Sequence, residues 1–332
     1  MSIVKVNTNS KVPKYKQIVN SLEDAIKKGQ LKKGDKLPSL NRVKNQFGLS
    51  RDTVITAFND LKQRGIIEST VGKGYYVLND EIQNKHRIFL LFDELNAFKE
   101  DLYKAFAAQF GTAAHIDLYF HHFNIKVLQS LIRENTGNYT AYVIMPANLK
   151  GLASLLKILP QDKVYILDQT QPELNHYPAV YQNFETDVFN ALSEAKALIR
   201  PYHQFILKFN ENTQPIGILK GFQTFCQHNL MPFQIINASE DLPLLRGALY
   251  LVLEDQHLIK LIKRMKDHDL VLAKDMGIIS YNDTLLKEIV EGGITTISTD
   301  FKAMGTQLAQ MILKEEPAQI ENTNQLILRS SL

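Results

Sequence analysis

The 332 residues are 45% hydrophobic and 22% charged, the balance of a globular chain, and the length points to two domains or a small domain on a larger one. No apolar run approaches the roughly 20 residues that cross a bilayer, and the start "MSIVKVNTNSKVPKYKQ" lacks the apolar centre of a secretory signal, so no membrane partner and a cytoplasmic location are expected. The net charge of +3 is uneven: residues 1–78 hold 15 Lys and Arg against 6 Asp and Glu, and the remaining 254 residues hold 23 against 29. A basic unit joined to an acidic one is the electrostatic footprint of a nucleic-acid-binding module on a partner domain.

From Lys14 to Lys28, Tyr15, Ile18, Val19, Leu22, Ala25 and Ile26 recur at the spacing of an amphipathic helix, which Gly29 ends. After the turn at Gly34-Asp35, Ser39 caps a second helix with Val43 and Phe47 inward, and Gly48 stops it. Ser50 caps a third, in which Val54, Ala57, Phe58 and Leu61 form one stripe before Gly65. "IIEST" and "GYYVL" then read as two strands joined by "VGKG", with glycines where the turn needs positive φ.

Three helices and a hairpin, with a tight turn between helices two and three, make a winged helix-turn-helix. The stripe packs the third helix onto its domain. Its polar start, Ser50, Arg51, Asp52 and Thr53, is placed to enter a major groove. Arg51 can reach a guanine edge or a phosphate, and Thr53 a phosphate or a thymine methyl. A helix that only packs in a core would explain the stripe but neither the polar start nor the local charge.

Val12 to Val77 resembles the DNA-binding domain of GntR-type bacterial transcription factors along its whole length. The shared features are "Y-x-Q-I", "G-x-L-x-x-G-D-x-L-P-S", "G-L-S-R-x-T-V" and "G-K-G-Y-Y-V". The resemblance implies operator contacts from Arg51, Thr53, Lys73 and Gly74. The family's usual arginine three residues after the Pro of "LPS" is here Asn41, with Arg42 one place later, so the half-site can differ. The expected DNA-contacting set is Ser39, Asn41, Arg42, Ser50, Arg51, Asp52, Thr53, Lys73 and Gly74.

Residues 79–86, polar and aperiodic, read as a linker. From Arg87 apolar strands alternate with helical stretches, through "RIFLLFD", "AYVIMPA", "KVYILDQ", "HQFILKF", "ALYLVLED" and "MGIISYND". Strands this apolar are covered on both faces, so doubly wound parallel sheets in two lobes are expected, with a ligand cleft at their carboxyl ends. No G-x-G-x-x-G follows a strand, and no Walker motif, His-Glu-x-x-His, cysteine pair or G-x-S-x-G occurs, so neither an enzyme nor a cofactor or metal is expected. His121-His122, at a strand end, reads as one partly buried and one solvated ring, and the single cysteine, Cys226, as a buried structural thiol.

Carboxylates and amides recur where strands end: Asp93-Glu94, Asp168, Asn183, Glu254-Asp255 and Asn282-Asp283. They suit the hydroxyls of a sugar or other polyol, although each taken singly also reads as a cap or turn residue. Phe92 or Tyr281 can wall a sugar face or pack in the core. "MGIISYNDT", "GGITTISTDFKAMGTQLAQMIL" and "LILRSSL" resemble the regulatory domain of the lactose-repressor family, from about Arg87 to the C-terminus. That resemblance implies an effector between the lobes, held at positions matching Asp168, Glu254, Asp255 and Asn282. The arginine common in the family three residues before the Gly-Phe pair is here Ile218, and Glu254 and Asn282 stand where Asn and Asp are frequent.

The expectation is a winged helix-turn-helix domain at 1–78, a linker at 79–86 and a two-lobed α/β effector domain at 87–332. Together they would form a homodimeric transcriptional regulator that binds double-stranded operator DNA under control of a small molecule, a sugar or its derivative. Candidate effector contacts are Phe92, Asp93, Glu94, Asp168, Asn183, Glu254, Asp255, Tyr281 and Asn282. Competing readings are a regulator of a non-sugar ligand, a solute-binding protein, and a pyridoxal-phosphate enzyme, for which no cofactor lysine motif is found.

Overall fold

The computed structural model describes residues 3–7, 10, 12–80 and 86–332. The N-terminal helices are α1 (Lys14–Lys27), α2 (Leu40–Phe47) and α3 (Arg51–Gln63). Each of the last two begins at a serine whose hydroxyl accepts from a backbone N–H three residues on, Ser39 from Arg42 and Ser50 from Thr53. Gly48 ends α2 at φ +61°, the left-handed conformation that costs glycine nothing and makes the turn into α3 tight. Ile18, Leu22, Val54, Ala57, Phe58 and Leu61 are wholly enclosed and hold the three helices together. The wing is β1 (Ile67–Thr70) antiparallel to β2 (Gly74–Val77), with Ile67 opposite Val77.

The rest carries two six-stranded sheets. The first contains β3 (His86–Phe92), β4 (Ala114–Phe120), β5 (Ala141–Ile144), β6 (Val164–Asp168) and β7 (Ala179–Tyr181). The second contains β8 (Gln204–Phe209), β9 (Phe233–Asn237), β10 (Ala248–Val252), β11 (Gly277–Tyr281) and β12 (Thr295–Thr299). The last segment adds one edge strand to each, β13 (Gln319–Glu321) to the first and β14 (Asn324–Ile327) to the second. The orders are β13-β7-β6-β5-β3-β4 and β14-β12-β11-β10-β8-β9. In the first, β3 pairs in parallel with β4 and β5, and β7 with β6 and β13. In the second only β14 runs antiparallel. The apolar strand sequences are those of sheets covered on both faces.

Between the strands lie α4 (Ala97–Phe110), α5 (Ile125–Asn135), α6 (Leu152–Leu156), α7 (Phe184–Glu194), α8 (Lys196–Ile199), α9 (Ile216–His228), α10 (Asp255–Asp267), α11 (Leu285–Ile289) and α12 (Phe301–Lys314). Gly217 and Gly221, one turn apart on α9, lie so close to α7 that a Cβ on Gly221 would stand 2.4 Å from the Glu185 carbonyl oxygen. This contact fixes α7, and with it Asp187.

By internal contacts the chain forms two compact units. One comprises Met1–Phe92, Phe110–Ile144 and Gly151–Tyr165, and the other Asp93–Gln109, Met145–Lys150 and Ile166–Leu332. Within the first, the C-terminal end of α3 meets the segments at β3 and before β6: the Lys163 ammonium donates to the Gln63 side-chain oxygen, and Arg87 lies over Gly65. The expected linker differs at its end, because His86 already pairs as the first residue of β3; residues 81–85 lie outside the described residues. His122 is exposed and His121 is wholly buried, further than the partial burial expected, and both follow β4 rather than belong to it.

Candidate functional sites

At the start of α3, Arg51 and Asp52 are exposed, and Ser50 shares a 2.7 Å hydrogen bond between its hydroxyl and that of Thr53. Arg51 is therefore carried on a capped, packed helix with a side chain free to reach outward. Asn41 and Arg42 are exposed on α2, and Lys73 and Gly74 on the wing. Lys36 pairs with Tyr76 as an isolated β-bridge and lies 5.8 Å from its ring centre, which ties the wing to the loop before α2. The polar start of α3, the start of α2 and the wing thus belong to one rigid basic domain.

The second unit holds a buried polar cluster. The Lys99 ammonium pairs with Asp93, and both side chains are under a tenth exposed. Asp168, the last residue of β6, is buried and accepts at 2.5 Å from the Gln182 amide. Burial, above all, raises the Asp168 carboxyl to about 6; Lys99 opposes the rise and Asp93 adds to it. Asp187 on α7 is raised to about 7 by burial and by the charge of Glu321. Tyr281, the last residue of β11, is 3% exposed and within electrostatic reach of both Asp187 and Asp168. Its hydroxyl has no hydrogen-bond partner, and neither do Gln182 Oε1, Asp187 Oδ2 and Asn282 Oδ1. Buried polar atoms are nearly always paired, so these orphans, three on residues at or just after parallel strands and one on α7, make the cluster the candidate ligand site. The backbone agrees: Asp168 and Asn282 both take left-handed φ, +73° and +60°.

A chain of amides joins Glu254 to this region. Gln214 donates to Glu254 at 3.0 Å, Asn148 donates to the Gln214 carbonyl at 2.6 Å, and Gln169, next to Asp168, donates to Asn148 at 2.8 Å. Among the described residues no group of three or more His, Cys, Asp or Glu is arranged to hold a metal ion.

Residues 14–77 match the family described as bacterial regulatory proteins of the gntR family, and residues 202–332 match the periplasmic binding protein-like domain. The chain joins a GntR-type helix-turn-helix head to a periplasmic-binding-protein-like domain. An uncharacterized HTH-type transcriptional regulator of Bacillus subtilis, YdfD, is 40% identical over 80 residues, 24% of this chain but only 17% of that protein. The arabinose metabolism transcriptional repressor of Geobacillus stearothermophilus is 20% identical, over 97% of this chain and 96% of its own. Among solved structures, the Lac repressor dimer bound to operator and the anti-inducer ONPF has a similar fold at 14% identity, with a TM-score of 0.60 over 74% of this chain and 93% of that one.

In the second compact unit, Asp93, Asp168 and Tyr281 come together, and Asn282 follows Tyr281 directly. Lys99, Gln182 and Asp187 join them without having been expected. Lys99 and Asp187 lie inside helices, where a charged residue reads as solvated face. Gln182 precedes Asn183 in "YQNF" with nothing to mark it. Phe92 differs from expectation: its ring is fully enclosed, edge-on to Phe120 at 6.4 Å between centres, so it is core and no wall of a site. Asp255 is held by Lys287 at 2.9 Å; the Lys287 ammonium is buried and also donates to the Tyr281 and Asn282 carbonyls at 2.7 Å each. Asp255 thus braces the Tyr281-Asn282 turn from behind. Glu94 is exposed and bonds Asn96, and Asn183 donates to Glu321 at 3.3 Å. Cys226 is buried, and that burial pushes its thiol up to about 12, which keeps it unreactive.

Proposed function

We propose that the chain is a cytoplasmic, non-enzymatic transcriptional regulator that binds operator DNA through the GntR-type head and releases or holds it according to a small hydroxyl-rich effector, a sugar or sugar derivative. The observation that carries this reading is the buried, unpartnered Tyr281 hydroxyl beside Asp168 and Asp187, in a chain that also bears the GntR-type head. The arabinose repressor, similar along nearly the whole chain, is named for sugar metabolism. Expected DNA contacts are Ser39, Asn41, Arg42, Ser50, Arg51, Asp52, Thr53, Lys73 and Gly74. Effector contacts are Asp93, Asp168, Gln182, Asp187, Tyr281 and Asn282, with Glu254 reached through Gln214.

Coupling runs along two strands. β6 follows Lys163, which grips Gln63 at the end of the recognition helix, and ends at Asp168. β3 contains Arg87, which lies over Gly65, and leads into Asp93. A ligand that shifts Asp93 and Asp168 therefore displaces the strands on which the head is seated. A coupling of about 1–3 kcal/mol suffices to change occupancy.

The regulator acts as a homodimer, because a helix-turn-helix reads two half-sites about one DNA turn apart. A surface fit for a second copy is α11, where Leu285 and Ile289 are 80% and 77% exposed. The test is a thermal-shift screen against pentoses, hexoses and deoxyhexoses, followed by operator binding with and without any hit. A sugar that raises the melting temperature and changes operator affinity is expected; no shift from any member overturns the sugar reading while leaving the DNA-binding one in place.

A further inference from the structure

The charge of the effector can be read from the atoms around Asp168, and this reading rests on the proposed effector site. The carboxylates of Asp93 and Asp168 share one ammonium, that of Lys99, which is committed to Asp93, while Asp187 lies within electrostatic reach of Tyr281 and of a further carboxylate, Glu321. Two further cations among the described residues are committed to partners. Lys287 serves Asp255 and two carbonyls, and Arg329 holds Asp283 through two bonds of 2.7 Å. Ile218, where a guanidinium could have stood, is packed in the apolar core.

The unpartnered atoms mostly carry the same sign. Gln182 Oε1 and Asn282 Oδ1 are acceptors, Asp187 Oδ2 is one when its carboxyl is ionised, and the Tyr281 hydroxyl can donate. Two of these side chains, Gln182 and Tyr281, are 95% or more buried, so they turn toward a ligand rather than toward solvent. A phosphate or carboxylate placed here would meet acceptors and carboxylates, and the cations named above already have partners. A ligand bearing several O–H or N–H groups would satisfy every orphan. We propose that the effector is a polyol with no anionic group, a neutral sugar or one bearing an amino group, and that phosphorylated and carboxylated sugars are excluded.

The test uses the full chain and charge-matched sets built on several hexoses and pentoses: the parent sugar, its phosphate, its acid and, where one exists, its amino derivative. Thermal shift ranks the members and calorimetry measures those that bind. For the sugar that binds, the parent or the amino derivative is expected to exceed the phosphate and the acid by at least tenfold in affinity. Asp187→Asn should reduce the advantage of the amino derivative over the parent. A phosphate or acid that binds more tightly than its parent overturns the inference while leaving the sugar reading intact. Silence from every member overturns both.

Discussion

Tyr281→Phe separates a ligand-binding hydroxyl from a structural one, because the two roles predict opposite signs in the ligand-free chain. The ring packs against Phe184 with centres 6.4 Å apart, and the side chain is 3% exposed, so phenylalanine fills the same space. What disappears is a hydroxyl without a partner. A buried polar group left unsatisfied costs about 1–3 kcal/mol, so the substitution should stabilise the ligand-free chain by about that amount. At roughly 2–4 °C per kcal/mol for a body of this size, the melting temperature should rise by roughly 2–12 °C. In the bound state the same hydroxyl gains a partner, and its loss should weaken effector binding by about 1 kcal/mol or more, roughly fivefold or greater. Differential scanning fluorimetry measures the first change and calorimetry the second. A fall in the ligand-free melting temperature would refute the reasoning, since it would show that the hydroxyl already has a partner in the empty protein.

Arg51→Ala should cut affinity for operator DNA by about 10- to 100-fold, the worth of a lost bidentate base contact, without changing the melting temperature of the chain, because the side chain is exposed. Lys73→Ala should weaken binding evenly across sequences and reduce the slope of log K against log salt by about 1; fluorescence anisotropy at several salt concentrations checks both variants. Gln63→Ala, which removes the acceptor gripped by Lys163, should lessen the change in operator affinity that effector produces, while affinity for effector alone is kept. In the ligand-free chain the raised carboxyls of Asp168, about 6, and Asp187, about 7, hold protons that the unfolded chain has already lost. Stability should therefore fall as pH rises from about 4 to about 7, and Asp187→Asn should flatten the upper part of that fall in a melting series across pH.

The head was legible almost residue by residue, because its signals are local: a serine before each of two helices, a glycine after each, and a stripe at helical spacing. Ser39, Ser50 and Gly48 need no distant partner to act as caps, so their meaning survives without a structure. The sheets were legible as alternation, since strands such as "ALYLV" are too apolar to face water on either side, but β13 and β14 were not. Each is too short to show a period, and their placement at the edges of two different sheets is a tertiary fact.

The buried polar cluster divides along the same line. Asp93, Asp168 and Tyr281 were visible because a polar residue closing an apolar strand stands out in sequence. Lys99 and Asp187 were not visible, because on a helix a charged residue has the same appearance whether it faces water or a buried neighbour. Only the packing of α4 and α7 decides between those faces, and for α7 the deciding feature lies elsewhere in the chain, in Gly217 and Gly221, whose missing side chains let α9 close on it. Phe92 shows the converse error. A strand in a sheet covered on both faces has no outward side, so the alternation that would assign a ring to core or to site is absent, and the ring goes to the core. What sequence alone can report at such a strand is its end, and what the fold adds is the set of helix-borne charges that meet that end.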